Sequence, residues 1–118
     1  MSSIPKVYHN PGCSKSQATL QLLEEREQEI EVIEYLKTPP TVEELDQILR
    51  QLDREPIEVI RVKEDRFAEL GLSVDDDRSR VEWIRIMVNN PILIERPIVV
   101  SDGKAALGRP PENVIEIL

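Results

Sequence analysis

Residues 6–36 of the chain contain, in order, a short apolar segment, a segment without glycine or proline, and a second apolar segment. Residues 6–9 have the composition of a buried strand, and the turn-forming sequence Asn-Pro-Gly at 10–12 ends it. Residues 14–29 lack Gly and Pro and repeat apolar residues at helical spacing. Residues 31–36 are rich in β-branched and aromatic residues. A strand–helix–strand unit of this kind favours a right-handed crossover and a parallel pair of strands.

The middle of the chain predicts helices. Thr41 with Glu44 three residues later forms a capping-box pattern, and an apolar stripe at helical spacing follows it. Residues 54–71 indicate shorter helical pieces that end at a glycine. Ser79 with Glu82 repeats the capping-box pattern at the start of a further helix. We therefore expect a helical section over about residues 41–90.

Residues 97–118 predict a hairpin and a final helix. Residues 97–100 and 104–107 have strand composition, and Asp102-Gly103 between them is a typical two-residue hairpin turn. Pro110-Pro111 can open a terminal helix. The order of elements predicts an α/β protein in one domain, residues 1–118. Its mixed four-stranded sheet, with helices on both faces, is close to a thioredoxin-like core with an inserted helical section.

Composition excludes several classes of protein. One cysteine in 118 residues rules out an intramolecular disulfide framework and a cysteine-rich zinc site. A net charge of −8 argues against general nucleic-acid binding, which needs clustered Lys and Arg. No apolar run reaches membrane-spanning length, and residues 1–6 lack the pattern of a secretory signal. We therefore expect a cytoplasmic protein without membrane contact.

Cys13 follows the Asn-Pro-Gly turn and begins the predicted helix. Backbone N–H groups and the positive end of the helix dipole should face its sulfur and favour the thiolate. The charge of Lys15 should lower the thiol pKa further, and the hydroxyls of Ser14 and Ser16 are candidates for binding both the thiolate and a substrate. The alternative is a buried, inert cysteine, which is common for a lone Cys.

A helix N-terminus that stabilises a thiolate can also bind an oxyanion. Such a ligand needs arginines, because their planar guanidinium groups suit its oxygens. Arg61, Arg96 and Arg109 lie in or next to apolar segments, where an arginine requires a partner. For each of them, a structural ion pair with an acidic residue is the competing interpretation.

Two further residues lie close to these candidates in the sequence. His9, the only histidine, ends the first predicted strand four residues before Cys13 and could tune the thiol or orient its loop. A structural histidine is the alternative. Pro97 directly follows Arg96 and could form a cis peptide bond.

Five segments together carry a family resemblance. They are residues 8–16 (YHNPGCSKS), 35–40 (YLKTPP), 69–72 (ELGL), 90–100 (NPILIERPIVV) and 108–110 (GRP). In this order they resemble the glutathione/glutaredoxin-coupled arsenate reductases, and most closely the compact members with a Cys-Ser-Lys-Ser sequence. The resemblance covers nearly the whole chain.

The resemblance implies a thioredoxin-like fold with a helical insertion and a single catalytic cysteine at Cys13. It also implies that Arg61, Arg96 and Arg109 bind the oxyanion and that His9 lies near the thiol and helps set its reactivity. The Arg96–Pro97 peptide bond is expected to be cis.

The resemblance thus predicts reduction of arsenate to arsenite through a Cys13 thiolate. Glutathione would be the co-substrate and glutaredoxin the partner, with no bound cofactor or metal, and the protein would act as a monomer. A general thiol oxidoreductase or a reductase of another oxyanion is the first alternative. The second is a non-enzymatic, protein-binding module of the Spx type, although Ser16 stands where such proteins usually have a second cysteine.

Overall fold

The computed structural model describes residues 4–118. Residues 1–3, which begin the stretch examined for a secretory signal, lie outside the described residues. The chain divides into two compact units. We call residues 4–38 with 96–118 the sheet unit, and residues 39–95 the helical unit. No helix in the described part of the chain is long and apolar enough to cross a membrane.

The sheet unit contains the predicted mixed four-stranded sheet. Its strands are β1 (Lys6–His9), β2 (Glu31–Glu34), β3 (Ile98–Ser101) and β4 (Lys104–Leu107). The order across the sheet is β2-β1-β3-β4. β1 and β2 are parallel, as the strand–helix–strand pattern predicts, and the other two pairs are antiparallel.

Two helices accompany this sheet. α1 (Ser14–Glu25) connects β1 to β2, and a 3₁₀ helix (Pro111–Ile117) ends the chain. They contact each other, and the 3₁₀ helix also packs on β4. The fully buried residues at the centre come from both helices and from the two middle strands: Val7, Leu23, Val99 and Val114.

The prediction that the first helix reaches residue 29 is wrong, because α1 ends at Glu25. Glu27 has a positive φ of 54°. The N–H of Gln28 donates to the carbonyl of Leu23, and the N–H of Glu27 donates to that of Glu24. This is a Schellman motif, which usually has Gly at the left-handed position. Since Glu27 takes that position here, the sequence carries no glycine signal for the helix end.

The helical unit has four α-helices and one 3₁₀ helix within the described residues. They are α2 (Val42–Leu52), α3 (Pro56–Val59), α4 (Asp65–Glu69), α5 (Arg80–Asn89) and the 3₁₀ helix Pro91–Leu93. Complete capping boxes begin α2 and α5, which confirms both predicted starts. α2 packs against α5. Ile60, directly after α3, pairs with Ile94 in an isolated antiparallel bridge, which joins the middle of this unit to its C-terminal end.

Candidate active site

The loop between β1 and α1 is held by Asn10. Its side-chain Oδ1 accepts a hydrogen bond from the N–H of Gly12 at 2.9 Å, and its carbonyl accepts one from the N–H of Cys13 at 3.0 Å. Its own N–H donates to Oγ of Ser16 at 3.3 Å. These three bonds fix the loop to the first turn of α1. They therefore fix the position of Cys13 at the start of α1.

Cys13 is the N-cap residue of α1, with extended backbone angles, and its side chain is buried. Burial alone would raise the pKa of the thiol. The backbone N–H groups of Ser16 and Lys15 and the guanidinium of Arg96 outweigh that effect, so the pKa is lowered overall. The contribution of the helix N-terminus is the one expected from the sequence. Lys15 lowers the pKa through its backbone N–H rather than through the predicted charge of its side chain, and the contribution of Arg96 was not predicted.

Two arginines of the sheet unit converge on this sulfur. The guanidinium of the buried Arg96 lowers the Cys13 pKa through both a hydrogen bond and its charge. Arg109 places Nη2 3.6 Å from Sγ of Cys13, while its Nε donates to the carbonyl of Arg96 at 2.7 Å. The Arg96–Pro97 bond is cis, and so is Arg109–Pro110. The sheet unit thus surrounds one thiol with two positive charges and the N-terminus of a helix.

Arg61 lies in the helical unit and is held by two carboxylates. Its Nε is 3.0 Å from Oε1 of Glu64, and its Nη1 is 2.6 Å from Oε1 of Glu95. Burial disfavours the charge on Arg61, but both glutamates favour it and raise its pKa overall. The ion pairs proposed as the alternative for this residue are therefore present. Its assignment to an oxyanion remains a prediction.

The other candidates occupy different surroundings. His9 is buried, and its Nδ1 has no hydrogen-bond partner among residues 4–118. Burial lowers the pKa of its imidazole, and the charge of Glu34 opposes this only in part, so the neutral form is favoured. Ser14 is exposed at the start of α1. Ser16 is fully buried, and its hydroxyl accepts the hydrogen bond from Asn10.

Sequence reasoning missed Asn10 as part of this site. The available signal was its position at the start of Asn-Pro-Gly, since an Asn side chain commonly accepts a hydrogen bond from the backbone two residues later. The part of the chain that the structure describes has no group of three or more His, Cys, Asp and Glu suited to a metal ion. The chemistry available here is that of a thiolate beside positively charged groups, which suits attack on a bound oxyanion.

Comparison with known proteins finds relatives that match nearly the whole chain. The sequence model of the ArsC family matches residues 8–117. An arsenate reductase from Neisseria meningitidis is 46% identical over 96% of this chain and 97% of its own length. The uncharacterized protein YfgD from Escherichia coli is 49% identical over 100% of this chain and 99% of its own.

Solved structures point to the same family. The arsenate reductase from Vibrio cholerae superimposes with a TM-score of 0.91 at 48% identity, covering 97% of each chain. A putative arsenate reductase from Yersinia pestis gives 0.89 at 46% identity, covering 96% of this chain and 99% of that one. The predicted thioredoxin-like fold is thereby confirmed. Sequence and structure together show that this chain belongs to the ArsC family.

Proposed function

We propose that this protein reduces arsenate to arsenite in the cytoplasm, as a monomer without a bound cofactor, with glutathione as co-substrate and glutaredoxin as partner. The observation that carries the proposal is the convergence of Arg96, Arg109 and the N-terminus of α1 on the Cys13 sulfur. Relatives named arsenate reductase at 40–46% identity support the same reaction.

The first step is nucleophilic attack by the Cys13 thiolate on arsenic. A sulfur–arsenic bond forms, and one arsenate oxygen leaves as water after protonation, so arsenic stays pentavalent. The N–H groups that begin α1 and the guanidinium groups of Arg96 and Arg109 would bind the remaining oxygens. Because these donors are fixed before the substrate arrives, they stabilise charge that develops in the transition state.

The second step requires a thiol from solution, because the chain has no second cysteine. Glutathione sulfur attacks Sγ of Cys13, and the sulfur–arsenic bond breaks. Its electron pair remains on arsenic, which is reduced to the trivalent state and leaves as arsenite. The two sulfurs are thereby oxidised to a mixed disulfide. A glutaredoxin thiolate then attacks the glutathione sulfur and releases the Cys13 thiolate.

Four further residues enter the proposal through the family resemblance. Arg61 is the third arginine for the oxyanion, and its two glutamates would compete with the oxyanion for its guanidinium group. His9 is assigned to tuning the thiol, and its lowered pKa means that it does so as a neutral imidazole. The hydroxyls of Ser14 and Ser16 are assigned to the substrate, although that of Ser16 already accepts from Asn10.

The direct test is arsenite production by the purified protein supplied with arsenate, glutathione, glutaredoxin and a reductant for glutathione. We expect turnover that Cys13→Ser abolishes, while Ser79→Ala, a cap in the helical unit, keeps it. Turnover by Cys13→Ser would refute the mechanism. Disulfide reduction without arsenite formation would instead favour the general thiol oxidoreductase.

A further inference from the structure

The turn after β4 packs unusually closely at Gly108, one residue before Arg109. A Cβ atom added to Gly108 would lie 2.5 Å from Oγ1 of Thr19 and 2.7 Å from Cγ of Pro97. Ordinary van der Waals contacts of a Cβ begin at 3.4 Å. Any residue larger than glycine would therefore require this turn to move away from α1 or from Pro97.

Neither Thr19 nor Pro97 can easily move away from such a Cβ atom. Thr19 is fully buried in α1, and its hydroxyl donates to the carbonyl of Lys15 at 3.0 Å. Pro97 is buried, and its ring has little conformational freedom. Close-packed interiors transmit such a conflict to the backbone rather than absorbing it. The segment left to move is the one that carries Gly108.

Movement of that segment would displace Arg109. The N–H of Gly108 donates to the carbonyl of Pro97 at 2.9 Å, and Nε of Arg109 donates to the carbonyl of Arg96 at 2.7 Å. With the Arg109 guanidinium held by these two hydrogen bonds, its Nη2 lies 3.6 Å from the Cys13 sulfur, near the outer limit of such a hydrogen bond. A shift of several tenths of an ångström would break this contact.

We propose that Gly108 and Thr19 are positioning residues that hold the Arg109 guanidinium on the Cys13 sulfur. Thr19 is the residue of α1 against which the turn packs. Gly108 permits this close approach because it has no side chain. For the oxyanion this rests on the proposed function, since Arg109 would then be held over the substrate site. For the thiol it stands on the geometry alone.

The test is a double-mutant cycle of Gly108→Ala and Arg109→Ala, with the pH profile of Cys13 alkylation by iodoacetamide as the readout. In the wild-type background, Arg109→Ala should move the alkylation midpoint to higher pH. We expect Gly108→Ala to move it in the same direction. Adding Arg109→Ala to Gly108→Ala should then have little further effect, because the guanidinium is already displaced.

Gly103, in the turn between β3 and β4, supplies a matched control. It has a positive φ of 81° with open space around a Cβ, so Gly103→Ala strains the turn without touching Thr19 or Pro97. We expect this variant to lose stability and keep the wild-type alkylation midpoint. If Gly108→Ala also lowers only stability, and Arg109→Ala retains its full effect in that background, the proposal is overturned.

Thr19 keeps the proposal testable if Gly108→Ala does not fold. Thr19→Ser retains the hydroxyl that contacts Gly108, whereas Thr19→Val places a larger methyl group there. We expect Thr19→Val to raise the alkylation midpoint and to reduce the effect of Arg109→Ala, and Thr19→Ser to do neither. Equal behaviour of the two variants would contradict the assignment.

Arsenate turnover provides a second readout that separates this inference from the proposed function. In the arsenate assay, Gly108→Ala should raise KM for arsenate by about tenfold or more, as expected for one lost hydrogen bond to a charged group. An inactive wild-type protein with the predicted alkylation cycle would refute only the proposed function. Normal turnover kinetics with an additive cycle would refute only the positioning role.

Discussion

The longest helices of the two units begin in different ways. In the helical unit, Oγ1 of Thr41 accepts from the N–H of Glu44 at 3.1 Å, and Oγ of Ser79 accepts from that of Glu82 at 3.2 Å. In the sheet unit, α1 begins at Cys13, with a thiol in the place of a capping oxygen. The first pattern stabilises a helix, whereas the second directs its N–H groups at a reactive atom.

The arginines of the two units differ in the same way. In the helical unit, Arg61 and Arg80 each form ion pairs with two carboxylates. In the sheet unit, Arg96 and Arg109 act on the Cys13 sulfur. Among these four residues, arginine charge thus forms ion pairs in one unit and acts on the thiol in the other. The position of a residue in the sequence does not by itself distinguish these uses.

Among substitutions that keep the positive charge of the side chain, those at the two arginines beside the thiol should have the largest effect on kcat/KM. Arg96→Lys and Arg109→Lys retain a positive charge and lose the planar fork that can bind two oxygens. We expect each to lower kcat/KM for arsenate by on the order of 10²-fold, as for loss of one donor to a developing oxyanion. Steady-state kinetics would measure this. Arg50→Lys, on the exposed side of α2, is the matched control, and unchanged kinetics in both site variants would remove these arginines from the mechanism.

The pH dependence of stability should also separate the two kinds of helix start. The pKa of Cys13 is lowered in the folded chain, while an unfolded cysteine has a pKa of about 8.5. The resulting stabilisation is complete above about pH 8.5 and is lost as pH falls through the folded pKa. The free energy of unfolding of the wild type, minus that of Cys13→Ser, should therefore rise with pH across this window. A flat or falling difference would contradict the thiolate.

Arg61 sharpens the comparison between the arginines. Because two carboxylates already bind it, we expect Arg61→Lys to reduce kcat/KM much less than Arg96→Lys does. Its main effect should be a loss of about 1 kcal/mol in the free energy of unfolding, typical of a weakened ion pair near the surface. Denaturant unfolding and kinetics on the same sample would measure both. A kinetic loss equal to that of Arg96→Lys would show that Arg61 contributes as much to the oxyanion site as Arg96 does.

The smallest effect is expected at a structural cap. Thr41→Ala removes the acceptor for the N–H of Glu44 and should lower the free energy of unfolding by about 1 kcal/mol. The alkylation midpoint of Cys13 should stay at its wild-type value. Thr41→Ser, which keeps the hydroxyl, should restore most of the stability. A shifted alkylation midpoint in Thr41→Ala would break the separation between structural and reactive helix starts.

Much of the fold was predictable because its signals are local. Capping boxes, the Asp-Gly hairpin turn and the alternation of strand and helix compositions each act over a few residues. The end of α1 was not predictable, since Glu27 takes a position that glycine usually fills. The last helix was predicted, but its 3₁₀ form was not.

The candidate site was predictable in its residue types and less so in its geometry. Cys13 could be placed at a helix start from the turn before it. Whether an arginine meets a thiol or a carboxylate depends on residues far away in the sequence, such as Glu95 for Arg61. The close approach of Gly108 to Thr19 is likewise a tertiary contact that no local pattern encodes.

The most direct test of the central claim is mass spectrometry of the protein incubated with arsenate and reduced glutathione, without glutaredoxin. Since the lone Cys13 thiol cannot resolve its own intermediate, one glutathione should accumulate on Cys13, and addition of glutaredoxin should remove it. Cys13→Ser should show no adduct. Absence of the adduct with arsenate, in a sample that forms it readily with oxidised glutathione, would contradict arsenate as the substrate and leave only a reactive thiol.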